Sequence, residues 1–431
     1  MLLFLDRARS RQPAFALTSQ NAPAVAEICR RVDGIPLALE LAAARVATMG
    51  AEQIAARVRD SLVLVITGNR TATPRQRTLR AALGWSHDLL IEPERKLFAR
   101  LSVFVGGFSL EAAEAVASED GIEEDEVLDL LSALVDKSLV VAEAMGEGEV
   151  RYGMLEPVRQ YARERLEESG GTDDLLSRHA AYFLAEAQAA EPELVGPQQR
   201  RWLSRLDREH GNLRAALDWS LERGDELGLR LGVALSRFWY ARGYLSEGRR
   251  WLEEGLGVVG GAASAPVRAK ALGEAGALAD YQGDFEQARV AHEASLDIYR
   301  RLGNERGIAT SLRNLGSVAA SQGHYGRATE LLGESLTLLR RSGTDTDVVR
   351  VLIRLGTLAI SRGEHARSVA WFEEALSLSR KTGDAIMVAI SLNNLGHVTL
   401  LRGDPERATA LFEECLMKER EVGKHMVLPS P

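Results

Sequence analysis

The chain has 431 residues, enough for roughly two to four structural units. Charged residues make up 26% and hydrophobic residues 45%, which is ordinary for a globular protein. The net charge of -8 shows no basic excess of the kind that nucleic-acid-binding domains carry. The two cysteines exclude a disulfide framework, and neither has a Cys or His nearby at metal-ligand spacing.

The N-terminus begins with a short apolar run, residues 1–5, followed by charged residues. This run is too short for the core of a secretory signal, and no small-residue cleavage site follows it. No stretch approaches the roughly 18 apolar residues needed to span a bilayer. We therefore expect a cytoplasmic protein without membrane contact.

The first segment, residues 1–73, is predicted to be helical. Within it, Asp33, Gly34 and Pro36 form a helix start, with Asp33 as the cap and Pro36 in the first turn, where a missing N–H is tolerated. This local interpretation is compatible with a role for the same residues in ligand contact.

The second segment, residues 74–172, combines helical and strand patterns. Helical periodicity covers residues 78–90, 92–101, 110–118 and 124–136. Two short apolar runs, 138–142 and 149–154, then flank a glycine-containing turn at 145–148, which predicts a β-hairpin. Helices followed by a two-stranded wing predict a winged helix, a relative of the helix-turn-helix.

The candidate recognition helix of this domain is acidic. Residues 124–137 contain five acidic side chains and a single lysine, Lys137. Phosphate groups repel acidic side chains. Most non-specific DNA affinity comes from basic side chains that neutralise the phosphates. We therefore predict no direct nucleic-acid binding by this chain.

The rest of the chain is predicted to be a helical solenoid. Residues 173–266 read as a helical linker with degenerate repeats, 267–424 as four 40-residue repeats, and 425–431 as a tail. Glycines recur at the 40-residue step in three series: Gly276, Gly316, Gly356, Gly396; Gly283, Gly323, Gly363, Gly403; and Gly303, Gly343, Gly383, Gly423. The first series predicts close helix approach and the second a left-handed turn. The spacing resembles the tetratricopeptide repeat (TPR), lengthened by six residues.

Each repeat has two amphipathic helices, and stacked repeats present a concave face. Asn314, Asn393, Asn394 and His397 are polar positions on the first helices that would bind a protein or peptide; the alternative is a solvated helix face. Cys415 occupies a small-residue position and is predicted to be a buried structural thiol. The fold class is thus mainly all-α: a helical bundle, a winged helix with a small β-hairpin, and a TPR-type solenoid.

Residues 34–43, 78–90 and 101–104, in this order before a repeat array, resemble a known signalling module. They are similar to the C-terminal part of the STAND (NB-ARC-like) nucleotide-binding module of bacterial regulators of the LuxR and AfsR types. In that family a P-loop domain comes first, followed by a helical bundle, a winged helix and a repeat sensor. The P-loop domain is missing from this sequence, so the chain is expected to be a split or truncated regulator.

The resemblance implies that Pro36 lies beside the adenine of a nucleotide, that Gly34 also contacts the nucleotide, and that Glu156, at the end of the wing, lies near its phosphates. Leu155 stands where the family has a histidine, and a leucine side chain cannot hydrogen-bond phosphate. No P-loop motif or magnesium-holding acidic pair occurs in the sequence. We therefore expect no bound cofactor, with residual ADP or ATP contact left open.

No spacing supports a catalytic triad, a glutamate pair or a metal site, so the chain is predicted not to be an enzyme. The preferred function is a non-catalytic signal-transduction or transcription-regulator fragment whose array binds a protein or small ligand. The alternatives are a standalone TPR adaptor and an ATPase that needs a P-loop in trans. Self-association is left open.

Overall fold

The computed structural model of the chain describes residues 1–31, 36, 39, 42–43, 46, 49–60, 83, 87, 90–119, 121–137, 139–146, 149–195 and 198–421. The chain divides into two units, residues 1–182 with 209–215, and residues 183–208 with 216–431. The described residues are predominantly helical with one small antiparallel hairpin, which confirms the predicted fold class.

The helices and strands of the first 195 residues are α1 (Leu2–Arg11), α2 (Ala22–Arg31), α3 (Ala51–Asp60), α4 (Glu92–Arg100), α5 (Leu110–Ala117), α6 (Val127–Asp136), β1 (Val141–Gly146), β2 (Glu149–Gly153), α7 (Glu156–Ser169) and α8 (Thr172–Glu193). Short 3-10 turns follow α4 and precede α6.

The remaining helices are α9 (Gln199–Arg208), α10 (His210–Glu222), α11 (Glu226–Arg242), α12 (Leu245–Val259), α13 (Ala265–Tyr281), α14 (Phe285–Leu302), α15 (Glu305–Ser321), α16 (Tyr325–Ser342), α17 (Asp345–Ser361), α18 (His365–Thr382), α19 (Ala385–Leu401) and α20 (Pro405–Glu421).

In the first unit, α1, α2 and α3 bury a small apolar cluster that includes Phe4, Ile28 and Ile54. The winged-helix segment buries Phe98, Phe108 and other large side chains among α4 to α7. Most of the helical pattern predicted at 78–90 lies outside the described residues. Burial of these apolar faces is the main source of stability for short helices.

The first strand differs from the sequence prediction. It begins at Val141 rather than at residue 138, and it includes Met145, which was expected in the turn. The reason is that the N–H groups of Leu139 and Val140 both donate to the carbonyl of Leu134, at 3.0 and 3.3 Å. These two buried residues therefore close the end of α6 instead of pairing with β2.

The second unit contains an array of helical hairpins. In this array, α11, α13, α15, α17 and α19 are the first helices, and α12, α14, α16, α18 and α20 are the second helices. Each first helix packs on the second helix of its own hairpin, and α11, α13, α15 and α17 also contact the next first helix along the array. The first helices therefore form one continuous layer.

The glycine series have the structural roles that the sequence predicts. A Cβ built on the first-series glycines, Gly276, Gly316, Gly356 and Gly396, would lie 2.4–2.8 Å from a side chain of the paired second helix. The second series adopts the left-handed conformation, with φ from +73° to +84°. In the third series, Gly303 and Gly383 are also left-handed, whereas Gly343 is extended; Gly423 lies outside the described residues.

In three of the hairpins, a small polar residue of the second helix bonds to the backbone of the first helix. The hydroxyls of Ser295 and Ser335 donate to backbone carbonyls 26 residues earlier, at 2.8 and 2.7 Å. The thiol of Cys415 makes the same bond at 3.3 Å and is only 4% exposed. The prediction of a buried structural thiol at Cys415 is confirmed.

Candidate functional site

The candidate binding face runs along the first helices. It comprises four positions per repeat, spaced i, i+3, i+4 and i+7, which lie on one side of a helix. We call this set the inner stripe. In the four repeats its members are residues 270, 273, 274 and 277; 310, 313, 314 and 317; 350, 353, 354 and 357; and 390, 393, 394 and 397, and in α11 residues 230, 233, 234 and 237. These side chains are partly buried or exposed, apart from those of residues 233 and 234 in α11, which are buried.

The inner stripe contains five arginines, and four of them, Arg237, Arg313, Arg350 and Arg354, lie close to one another; the fifth, Arg230, shares the register position of Arg350. Arg237 belongs to α11, Arg313 to α15, and Arg350 and Arg354 to α17. Arg313 and Arg350 are partly buried, whereas Arg237 and Arg354 are exposed. Structural positions of a repeat protein recur, so Arg237, Arg313 and Arg354, which have no arginine counterpart in the other repeats, need another explanation than packing.

The four arginines are close enough to affect one another electrostatically. Burial, followed by the charges of Arg350, Arg354 and Arg237, lowers the pKa of Arg313 to about 10. The pKa of Arg350 is also lowered, first by burial and then by Arg237. A lowered guanidinium pKa means that positive charge is unfavourable at this place in the free protein.

None of the four arginines forms an ion pair within 4 Å among the described residues. Arg313 donates to Asn314 Oδ1 at 3.1 Å, which is a neutral acceptor. Four arginines of the second helices behave differently, because they pair with carboxylates of neighbouring repeats. These pairs are Arg249 with Asp284, Arg340 with Glu374, Arg380 with Glu414 and Arg407 with Glu373.

Carboxylates near the arginines, those of Glu274, Asp280 and Asp347, attract them but form no ion pair with them within 4 Å in the described part of the chain. Burial raises the pKa of Glu274, although Arg237 oppositely lowers it, and burial likewise raises the pKa of Asp280. Asp347 is bound to Arg306 at 3.0 Å and caps the start of α17. Asp280 Oδ1 is buried and has no hydrogen-bond partner in the described part of the chain. This oxygen can accept a hydrogen bond from a ligand.

Two tyrosines lie beside this charged cluster. The rings of Tyr240, at the end of α11, and Tyr281, at the end of α13, have centroids 4.2 Å apart. Both remain well exposed, at 40% and 52%. The charge of Arg354 affects both Asp280 and Tyr281, so the tyrosine pair borders the arginines.

The residues predicted for peptide binding all lie on the inner stripe, so the structure places them on one side of their helices. Asn314 accepts from Arg313, and Asn394 Nδ2 donates to the carbonyl of Ile390 at 2.8 Å. Asn393 is partly buried and His397 is exposed. Their role in binding stays a prediction.

Sequence reasoning missed the four arginines, although a signal was present. Aligning the repeats at the 40-residue step puts Arg354 in register with Glu274, Asn314 and Asn394. A change of charge sign at one register position indicates that packing between the helices does not determine which residue stands there. The mutual proximity of the arginines, however, depends on the stacking angle of the repeats.

Of the three residues predicted for nucleotide contact, the structure describes Pro36 and Glu156. Gly34 lies outside the described residues, and Pro36 is exposed. Glu156 is the first residue of α7 and pairs with Arg159 at 2.7 Å, while also accepting from Gln160. These local partners hold the Glu156 carboxylate at its own helix N-terminus, where a negative charge is favourable. Nucleotide contact by the three residues stays a prediction.

The winged-helix segment presents an acidic surface around α6. Residues 123–126 precede the helix with four exposed acidic side chains, and Leu128 is exposed on it. Burial raises the pKa of Glu114 on α5, and the charges of Glu124 and Glu111 raise it further. This surface carries the same sign of charge as a nucleic-acid backbone.

No group of three metal-binding side chains occurs within the described ranges. Across the same ranges, no helix has both the length and the apolar character needed to cross a membrane.

Two family models match parts of the chain. The model described as a winged helix-turn-helix domain matches residues 90–167. The model described as a tetratricopeptide repeat matches residues 267–341 and 347–416. The chain therefore carries a winged helix-turn-helix domain followed by tetratricopeptide repeats.

Curated relatives come from mycobacteria. The chain is 45% identical over 283 residues to proteins of Mycobacterium bovis and Mycobacterium tuberculosis whose names describe them as inferred HTH-type transcriptional regulators. The match covers 65% of this chain and 32% of those proteins, so the chain spans about a third of their length. It is also 46% identical over 182 residues to an uncharacterized protein of Mycobacterium tuberculosis, covering 42% of this chain and 46% of that protein.

Among solved structures, a STAND protein with a tetratricopeptide repeat sensor from Pyrococcus horikoshii aligns with a TM-score of 0.46 and 14% identity, covering 97% of this chain and 60% of that one. BtubC from P. vanneervenii aligns with a TM-score of 0.42 and 20% identity, covering 54% of this chain and 95% of that one.

Proposed function

We propose that this chain is a non-catalytic regulatory segment of a STAND-type transcriptional regulator of the LuxR or AfsR kind, and that its TPR array is the ligand-binding sensor. The observation that carries the proposal is the inner stripe, a row of mainly polar and charged side chains along the layer of first helices. The names of the mycobacterial relatives support the regulatory class. The resemblance of residues 34–43 and 78–90 supports the STAND type.

The ligand of the array is a protein or peptide. TPR arrays generally bind proteins through an extended concave surface, and the layer of first helices in this chain offers such a surface. The described residues include no metal cluster, and the residues predicted for nucleotide contact are exposed, locally paired or outside the described ranges.

Regulation requires that the ligand bind two conformations of the protein with different affinities. Packed helical repeats can pass on a change of conformation, because their interfaces switch between discrete arrangements instead of deforming gradually. Ligand binding to the array would then shift the state of the winged-helix domain. In this scheme the winged helix acts as a regulatory element, because the acidic surface around α6 opposes binding to DNA phosphates.

The proposal is tested by selecting peptides from a random display library on the full chain and measuring their affinity by calorimetry. We expect selected peptides to lose affinity on substitution of inner-stripe residues, for example Asn314→Ala combined with Asn394→Ala. The control is Thr337→Ala, an exposed position on a second helix. Peptides that are insensitive to the first variant would contradict the proposed binding face.

Nucleotide and DNA binding provide the alternative outcomes. We expect no heat of binding with ADP or ATP analogues and no retardation of random duplex DNA at low salt. Nucleotide affinity that is lost in Pro36→Ala would favour an ATPase that needs a P-loop in trans. DNA retardation that weakens on substitution of residues in α6 would favour a DNA-binding role.

A further inference from the structure

Arg237, Arg313, Arg350 and Arg354 of the inner stripe form a charge cluster in which none of them makes an ion pair among the described residues. We propose that the inner stripe binds an acidic peptide segment of a partner protein, whose carboxylates pair with Arg237, Arg313, Arg350 and Arg354. This inference rests on the proposed sensor function and specifies the chemistry of its ligand.

The first support for the inference is the contrast between the two helix layers. On the second helices, Arg340 and Arg380 find carboxylates in the next repeat at 2.6 Å. On the first helices, Arg350 and Arg354 have no carboxylate within 4 Å among the described residues. An unpaired, partly buried guanidinium cluster is unfavourable unless something binds it. Carboxylates suit it best, because two parallel N–H groups of a guanidinium match two carboxylate oxygens.

The second support is the distribution of charge over several repeats. Arg237, Arg313 and Arg350 come from three first helices separated by at least one further helix in sequence. A single small anion would contact one or two of these side chains, whereas a peptide with several carboxylates can follow the stripe from helix to helix. Electrostatic complementarity of this kind also accelerates association and excludes basic partners.

The third support is the set of polar and aromatic groups at the border of the cluster. Asp280 Oδ1 is buried without a partner among the described residues, so it can accept a hydrogen bond from a peptide N–H. The exposed rings of Tyr240 and Tyr281 offer an apolar surface for a neighbouring side chain of the ligand. A peptide supplies all three groups at once: carboxylates, backbone N–H groups and an apolar side chain.

The test uses the full chain and two capped peptides of equal length. The acidic probe has the sequence Trp-Glu-Ala-Glu-Glu-Ala-Glu-Glu, and the matched neutral probe has glutamine in place of every glutamate. We expect the acidic probe to bind at least about tenfold more tightly than the neutral probe at low salt. Its affinity should fall as the salt concentration is raised from about 0.05 M to about 0.3 M, because screening weakens exposed charge pairs.

The variant pair separates the inner stripe from the outer surface. Arg350→Gln with Arg354→Gln should weaken the acidic probe by at least about tenfold and leave the neutral probe unchanged. The matched control is Arg340→Gln with Arg380→Gln, which removes two paired arginines of the second helices and should leave both probes unchanged. Equal losses in both double variants would overturn the inference.

Thermal unfolding shows whether the inner-stripe substitutions disturb the fold. Because burial and the charge of Arg237 disfavour the charged form of Arg350 more than Asp347 and Asp384 favour it, the inner-stripe double variant should unfold at the same or a higher temperature than the parent. A lower unfolding temperature would assign the arginines a structural role and overturn the inference. Tighter binding of an oligothymidylate of equal charge, or displacement of the probe by millimolar inorganic phosphate, would also overturn it.

The outcomes also distinguish this inference from the proposed function. If peptides selected from the display library bind the inner stripe but the neutral probe binds as well as the acidic one, the sensor function holds and the acidic specificity fails. If no selected peptide depends on the inner stripe, the sensor function fails.

Discussion

Gly356 faces the ring of Phe372 so closely that a Cβ at residue 356 would lie 2.4 Å from Cε1 of the ring. This contact joins the first helix α17 to the second helix α18 of the same hairpin. It recurs in the next hairpin between Gly396 and Phe412. The bulky residue of the second helix therefore requires a glycine at the position that it faces on the first helix.

This relationship predicts the effect of Gly356→Ala. Alanine favours a helix by about 1 kcal/mol over glycine, but the extra methyl group would overpack the hairpin at a cost of about 1–3 kcal/mol. We expect the overpacking to dominate and the free energy of unfolding to decrease by up to about 2 kcal/mol, measured by denaturant unfolding.

Gly333→Ala is the matched control, because Gly333 lies inside helix α16 and a Cβ there would meet nothing within 4 Å. We expect this variant to be stabilised by about 0.5–1 kcal/mol. Destabilisation of both variants to the same extent would contradict the steric explanation for Gly356.

The glycines show why part of the fold could be predicted from sequence. The same close helix contact recurs in each repeat, and it requires a glycine at every 40-residue step. The resulting periodic pattern, Gly276, Gly316, Gly356 and Gly396, is visible in the sequence. The ends of β1 were predicted less well, because the apolar residues Leu139 and Val140 fit a strand as well as they fit the closing turn of α6. Local patterns do not distinguish these alternatives.

The candidate site was only partly predictable for a related reason. Asn314 and Asn394 were predicted because they are polar positions on the first helices of the repeats. Arg313 and Arg350 lie at different register positions, so no single column of the repeat alignment shows them together. Their proximity results from the stacking of α15 on α17, which is a property of the three-dimensional array.

The hydroxyl of Ser335 offers a second prediction. Ser335 is fully buried and donates to the carbonyl of Ala309 at 2.7 Å. Ser335→Ala removes this donor, and we expect the free energy of unfolding to decrease by about 1 kcal/mol, as for other intramolecular hydrogen bonds. Denaturant unfolding measures this change.

The control for this prediction is Thr337→Ala, two residues further along the same helix, where the hydroxyl is exposed. It should change the free energy of unfolding by less than about 0.5 kcal/mol. A loss at residue 337 as large as that at residue 335 would indicate that helix propensity, rather than the buried hydrogen bond, accounts for the effect.

The third prediction concerns Asn212 in the first unit. Its Oδ1 accepts the N–H of Val105 at 2.6 Å, and its Nδ2 donates to the carbonyl of Gly107 at 2.8 Å and to Glu209 at 2.7 Å. The first of these bonds joins residues 107 positions apart in sequence, so no local pattern could have revealed it.

Asn212→Ala would leave the N–H of Val105 and the carbonyl of Gly107 without these partners. Because leaving a buried polar group unpaired costs about 1–3 kcal/mol and Val105 and Gly107 are partly buried, we expect a loss of about 1–2 kcal/mol in the free energy of unfolding of this unit. Hydrogen exchange at Val105 should also accelerate. Glu222→Gln, exposed on the same helix, is the control, and an equal response in both variants would contradict the role of Asn212.

The last prediction is a pH dependence in the array. His292 lies against Gly276 and occupies the position that Leu332, Phe372 and Phe412 occupy in the later repeats. Burial lowers the pKa of His292 to about 4, and the charge of Arg313 acts in the same direction. The folded chain therefore keeps this imidazole neutral.

The sign of the effect follows from proton uptake. Below a pH of about 6.5 the unfolded chain binds a proton at His292, whereas the folded chain binds it only near the lowered pKa. The contribution of His292 is therefore constant above a pH of about 6.5 and is lost as the pH falls from there towards about 4. Between about pH 7.5 and about pH 5 the loss amounts to about 2 kcal/mol.

His292→Phe tests this prediction, because phenylalanine fills the same position in two other repeats and does not titrate. Hydrogen exchange of α14 measured at several pH values should show that the variant keeps about 2 kcal/mol of protection that the parent loses on acidification. All other titrating groups are shared, so the difference between the two proteins reports on His292. Parallel losses in parent and variant would show that the imidazole is not the group responsible.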